Sequence, residues 1–125
     1  MYTCPCCGYE TFSEPPGSYE ICDICFWEDD IVQLEFPDLA GGANDCSLIE
    51  GQHNFEQFGV CKVRHKSLAR APAKADTRNS KWRLLDPTKD RYLKWENRDD
   101  HNRWQAVKDS SGICLYYWLP EYWLA

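Results

Sequence analysis

Between Met1 and Val60 the chain has no lysine and no arginine, although it carries twelve aspartates and glutamates there. A segment with a charge of −12 has nothing with which to pair nucleic-acid phosphates, so this half is not expected to bind RNA or DNA by itself. Long apolar runs are also missing: no stretch approaches the roughly 18 residues needed to span a bilayer. A charged leader followed by an apolar segment has no room ahead of Cys4, so export is not expected and the reducing cytoplasm is the default compartment. There is no glycine-rich loop that would cradle phosphates. His53, His65 and His101 have no acid and nucleophile beside them at a recognisable spacing. Cys46, Cys61 and Cys114 stand isolated, with no flanking signature of a reactive thiol. Enzyme chemistry is therefore not expected.

What is present is cysteine, eight residues in 125, and aromatic side chains, 14% of the chain. In a reducing compartment these cysteines read as metal ligands and buried thiols before they read as disulfides. Two stretches carry the pattern, Cys4-Pro5-Cys6-Cys7-Gly8 and Cys22-Asp23-Ile24-Cys25, separated by the fourteen residues from Gly8 to Ile21. Two Cys-x-x-Cys pairs at this spacing are a metal signature, because each tight turn aims two sulfurs at one point and two turns complete a tetrahedron. Cys4, Cys7, Cys22 and Cys25 are the expected ligands of one zinc ion. A tetrahedral four-sulfur site also accepts iron, and that alternative stays open. Pro5 and Gly8 suit the turn: proline fixes φ, and glycine tolerates a left-handed exit. Cys6 is expected to point away as a spare thiol, with ligand exchange as the alternative. Thioredoxin-like redox chemistry is disfavoured, since such a pair opens a helix in a βαβ unit and here a second pair lies nearby.

The residues around these pairs resemble a known family. Cys4-Pro5-Cys6-Cys7-Gly8-Tyr9, then Ser13-Glu14-Pro15-Pro16-Gly17-Ser18-Tyr19-Glu20-Ile21-Cys22 and Cys25-Phe26-Trp27-Glu28-Asp29-Asp30, are similar to the cysteine-rich CPCC family of small bacterial proteins. The similarity continues through Pro37-Asp38, Gly41-Gly42-Ala43-Asn44 and Ser47-Leu48 to about Gly59. It implies a cysteine-rich, metal-binding-like module and carries no activity with it.

The expected fold class is α+β. A zinc-ribbon-like module of short hairpins and one helix fills residues 1–60, residues 61–81 form a basic linker, and residues 82–125 form an aromatic-rich α+β lobe. In the first module Met1–Thr3 and Tyr9–Phe12 read as strands. Ser47 followed by Glu50 forms a capping box, which predicts a helix over about 48–58 with Leu48, Phe55 and Phe58 on one face, Gly51 beneath them and Gly59 as its stop. Phe26 and Trp27 read most simply as apolar cover over the metal. Trp27 with Glu28, Asp29 and Asp30 is also the candidate partner-binding face, the three acids being taken as a solvated turn.

From Lys62 to Arg83 there are eight basic residues against the single acid Asp76. This strip either meets the acidic module of its own chain or serves as a nucleic-acid contact, though Trp82 is the lone stacking ring within it. In the last segment Asp86-Pro87 predicts a short helix to about Trp95, and residues 104–119 predict a hairpin. Trp82, Trp95, Trp104, Trp118 and Trp123 build a core or anchor an interface. The expectation that follows is a structural-zinc protein-interaction module with a basic protein partner, of the immunity or inhibitor kind that would cover a nuclease toxin. The alternative is a nucleic-acid-binding or regulatory zinc ribbon using residues 62–83.

Overall fold

The computed structural model describes residues 1–90, 92–99 and 116–118. It is a small mixed fold: a two-stranded antiparallel hairpin, helices and a cluster of cysteines. Strands β1 (Tyr2–Thr3) and β2 (Glu10–Phe12) pair with Tyr2 opposite Phe12 and Thr3 opposite Glu10. Aromatic and β-branched side chains favour these short strands, and the loop between them carries the first cysteine pair. The second pair sits in a loop of the same length, closed by an antiparallel bridge between Ile21 and Glu28.

A five-residue helix, α1 (Ile31–Glu35), follows directly after Glu28-Asp29-Asp30, which the sequence reading took as a solvated turn. Its cause is Asp30, whose carboxylate caps the Val32 and Gln33 amides at 2.8 and 3.3 Å. The other oxygen of Asp30 accepts from the Ala43 amide at 2.9 Å. Asp29 binds the amides of Gly17 and Ser18 at 3.0 Å each and the Ser18 hydroxyl at 2.8 Å. Two adjacent carboxylates thus pin two separate loops, and both are buried. Gln33, fully buried, does the same for residues 39–46. Its amide nitrogen meets the carbonyls of Leu39, Asn44 and Cys46 at 2.9, 3.2 and 3.0 Å, and its oxygen accepts from the Asn44 amide and side chain. Replacing Gln33 by Leu is expected to cost about 2–4 kcal/mol, because several buried backbone groups lose their partner. Urea unfolding would read this, and a loss below about 0.5 kcal/mol would show that the loop does not depend on the hub.

Helix α2 (Leu48–Phe58) has the predicted bounds and caps. Ser47 Oγ accepts from the Glu50 amide and the Glu50 carboxylate from the Ser47 amide, both at 3.1 Å, and Gly59 ends the helix in the left-handed region at φ 78°. The buried stripe is Leu48, Gly51 and Gln52, with Phe55 half-buried. Phe58, expected on that face, is 41% exposed because the last turn runs past the edge of the core. Gly51 lets the helix approach closely: a Cβ there would stand 3.2 Å from the Trp27 ring and 3.3 Å from Cys6 Sγ.

The basic stretch is not an extended tether. It lies across the cysteine loops as a strap: the Glu10 amide donates to the Thr77 carbonyl at 2.9 Å, the Asn79 amide to Gly8 O at 2.8 Å, and Tyr9 pairs with Arg78 in an antiparallel bridge. The described part of the aromatic segment packs in turn on the first half. Phe36, Leu85, Leu93, Tyr117 and Trp118 form a second buried cluster, joined by Leu39 and Ile49, so side chains from before residue 60 share this core. The helix expected from Asp86 to Trp95 is reduced to one turn, closed by the Asp90 amide on Asp86 O at 2.8 Å. The Asp90 carboxylate is drawn back onto the Arg83 guanidinium and the Asp86 amide, which folds the segment on itself. A 3₁₀ turn at Trp95–Asn97 follows. The hairpin expected over residues 104–119 lies outside the described residues except for Tyr116–Trp118, as do Cys114, His101, Trp104 and Trp123.

Candidate metal centre

The two cysteine loops are near copies. In the first, the Gly8 amide donates to Cys4 O at 2.8 Å and the Cys4 amide to Tyr9 O at 2.9 Å. In the second, the Phe26 amide donates to Cys22 O at 2.7 Å and the Cys22 amide to Trp27 O at 2.8 Å. The residue after each second cysteine takes a left-handed conformation, Gly8 at φ 84° and Phe26 at φ 69°. Phe26 tolerates this with its ring stacked on His65, centroids 4.7 Å apart.

The loops bring Cys4, Cys7, Cys22 and Cys25 together, all buried, with their sulfurs within 4.8 Å of one another. Cys4 Sγ lies 3.6 Å from Cys25 Sγ, and Cys7 Sγ lies 3.8 Å from Cys22 Sγ. A tetrahedral ion with metal–sulfur bonds of about 2.3 Å sets its thiolates about 3.8 Å apart, so the donor set fits such an ion. The electrostatics ask for one. Burial pushes the Cys4 and Cys25 thiols well above their usual range, while hydrogen bonds from Cys25, Cys4 and Cys7 hold Cys22 far below it. Burial thus opposes thiolates at Cys4 and Cys25, and a bound cation would offset that cost. The Thr11 hydroxyl, 3.2 Å from Cys22 Sγ, orients that sulfur from outside the cluster.

Cys6 is buried but stays outside the four-sulfur group. Trp27 is fully buried among the cysteines, as expected of cover. Its second candidate role, as part of an exposed partner-binding face with Glu28, Asp29 and Asp30, does not match its position. Trp27, Asp29 and Asp30 are interior, and Glu28 is the half-exposed member. Hydrogen-bond demand explains this: the loops around the cysteines leave amides that the two aspartates satisfy.

Several supporting residues had no legible signal. Arg78 Nε donates to Cys7 O at 2.9 Å, and Trp82 Nε1 to Pro5 O at 2.8 Å. Gln52 Nε2 reaches the same Pro5 carbonyl at 2.9 Å and the Tyr117 hydroxyl at 2.8 Å, while its oxygen accepts from the Leu85 amide at 3.0 Å. These contacts span from 33 to 77 residues of sequence, and no local pattern announces them.

Cationic groups of the strap are engaged by the chain's own acids. Arg70 binds Asp23 and Asp76, Arg64 and Lys62 bind Asp45, Arg78 approaches Glu56, and Arg83 binds Asp90. No helix among the described residues is long and apolar enough to cross a membrane.

Fold and site together define a cysteine-rich module with a four-sulfur cluster able to hold one metal ion. The chain belongs to the cysteine-rich CPCC family, whose model matches residues 2–76. No curated protein matches it. The match runs past Gly59, where the resemblance read from sequence stopped, and takes in the strap through the Arg70–Asp76 pair.

Proposed function

We propose that the protein is a structural-zinc interaction module: a zinc-ribbon-like unit in which Cys4, Cys7, Cys22 and Cys25 hold one Zn²⁺, and whose outer surface meets a protein partner. The observation that carries this reading is the closure of four buried sulfurs on one point. Four protein ligands fill a tetrahedral zinc ion and leave no position for water, so the ion's work is to hold the loops and not to activate a substrate. Zinc is preferred to iron for the same site because the loop between the two pairs, from Gly8 to Ile21, is short. Purified protein is expected to contain one zinc per chain by elemental analysis. Stoichiometric iron with a visible thiolate-to-iron absorption would replace zinc in this reading.

The partner surface differs from the acidic face first expected. With Asp29 and Asp30 inside, the outward features around the second cysteine loop are Tyr19 and Ile21, 58% and 48% exposed, with Glu28 paired across from Ile21. Exposed aromatic and aliphatic side chains beside a carboxylate suit a partner with an apolar patch and a basic rim. An immunity or inhibitor role toward a basic enzyme is the concrete form of this proposal. Pull-down from the source cell with the native chain and with a Tyr19→Ala, Ile21→Ala double variant tests it. Recovery of a defined partner by the native form, reduced about tenfold or more for the variant, supports it; equal recovery with both removes this surface from the argument. The alternative through residues 62–83 has fewer free cations than the composition suggested, since five of the eight basic residues there are ion-paired within the chain.

A further inference from the structure

Outside the four-sulfur cluster, two more cysteines meet across the fold. Cys46 ends the loop before α2 and Cys61 follows the turn after it, so the helix brings residues fifteen apart back to one place. The Cys46 thiol donates to the Cys61 carbonyl, with Sγ 3.4 Å from the oxygen. Both line a cleft of about 140 Å³ together with Phe26, Asn44, Asp45, Lys62, Arg64 and His65, so this pair has a route to solvent. Cys46 and Cys61 are themselves only 6% and 2% exposed; what separates them from Cys6, buried against Gly51 and Trp27, is that they line this cleft.

Cys46 also occupies a special place on the helix. It directly precedes the Ser47 cap of the eleven-residue α2, whose amino end carries partial positive charge. Lys62, the neighbour of Cys61 and paired with Asp45 at 3.5 Å, adds a cation beside it, while burial and the Glu50 carboxylate act in the opposite direction. A thiol at a helix amino terminus near a lysine is the more readily ionised and nucleophilic of a pair. Consistent with this, a hydrogen bond from the Cys61 thiol holds Cys46 below the usual thiol range.

We propose that Cys46 and Cys61 are a redox-active dithiol, closing to an intramolecular disulfide when a small disulfide of the glutathione type enters the cleft. In the first step the Cys46 thiolate attacks one sulfur of the oxidised glutathione, forming the Cys46–glutathione disulfide and releasing one glutathione thiolate. In the second, Cys61 loses its proton to the released thiolate and its sulfur attacks Cys46 Sγ. The Cys46–Cys61 bond forms, and the second glutathione leaves as a thiol after taking a proton from solvent. Two protein thiols are oxidised and one glutathione disulfide is reduced, so the electrons balance without the metal.

The test uses the full-length protein with its bound metal measured beforehand, incubated with oxidised glutathione and then alkylated, stripped of metal and unfolded. Free thiols are expected to fall from eight to six, with the metal content unchanged. Cleavage after Glu50 and Glu56 places Cys46 and Cys61 on separate peptides, and these should be found joined. Cys61→Ser should retain one glutathione on Cys46, and Cys46→Ser should retain none. The peptide map of the unaltered chain decides the matter even where a variant folds poorly. A first disulfide within Cys4, Cys7, Cys22 and Cys25, with loss of metal while Cys46 and Cys61 stay reduced, overturns the proposal. So does a full set of eight free thiols after prolonged exposure, or a stable glutathione adduct on Cys61 in Cys46→Ser.

Discussion

Removing the metal with a strong chelator is expected to abolish the cooperative unfolding transition of residues 2–30, because little else can replace the ion there. The strands β1 and β2 have five residues between them, and four of the buried core positions are the cysteines themselves. Without a cation, burial keeps the Cys4 and Cys25 thiols protonated, and no metal–sulfur bond joins the two loops at the cluster. Small zinc modules draw about 10–16 kcal/mol of apparent free energy from the ion, as much as the roughly 5–15 kcal/mol that a whole domain has in reserve. Circular dichroism and amide exchange would report the collapse, and readdition of zinc should reverse it. Cys22→Ser is expected to lose the bound metal, while Cys6→Ser should keep one ion per chain. A chelated protein that melts at the same temperature as the loaded one would remove the metal from the folding argument. The sign with pH follows from the ligands: protons compete with the ion for thiolates, so the ion's contribution is present at neutral pH and lost as pH falls.

Gly8→Ala is the second large effect, and it is expected to destabilise the protein by about 2–5 kcal/mol. Holding alanine in the left-handed region costs about 1–2 kcal/mol. In addition the new Cβ would stand 2.5 Å from Trp82 Cδ2 and 2.6 Å from Cε3, so the indole that closes over the first cysteine loop must move. Overpacking of this kind adds about 1–3 kcal/mol, and displacing Trp82 also strains its bond to Pro5 O. Gly41→Ala is the control. Gly41 has φ 85° but nothing within 4 Å of its added Cβ, so it should show the backbone cost without the clash. Equal midpoints for the two variants in urea would mean that Trp82 yields freely and does not brace the site.

Where the chain's signals were local, they were legible. Ser47, Glu50 and Gly59 defined α2 to its terminal residues, because capping is a contest between a side chain and amides three residues away. The four-cysteine set was legible for a similar reason: Cys-x-x-Cys turns carry their own geometry. Asp29 and Asp30 misled because a run of acids looks solvated in sequence, and only the arriving loops at Gly17–Ser18 and Ala43 supply the amides that draw them inside. The short helix α1 was missed with them, since its cap is the same Asp30. Asp86-Pro87 misled in the other direction. A sound helix start was overridden when the Asp90 carboxylate turned back to Arg83.

The charge map divides along the same line. That twelve acids precede all fourteen basic residues is a property of the sequence, and it made an internal match possible. Which pairs form, Arg70 with Asp23 and Asp76 or Arg64 with Asp45, depended on the strap folding back over the cysteine loops. By itself, then, the sequence determined the two cysteine turns, the capped helix and the separation of charge, each of which rests on neighbours a few residues apart. The tertiary structure decided which acids are buried, that residues 62–83 brace the site, and that Cys46 and Cys61 share a cleft. Those outcomes depend on hydrogen-bond partners and packing surfaces brought from other parts of the chain, and no local pattern announces which of them will meet.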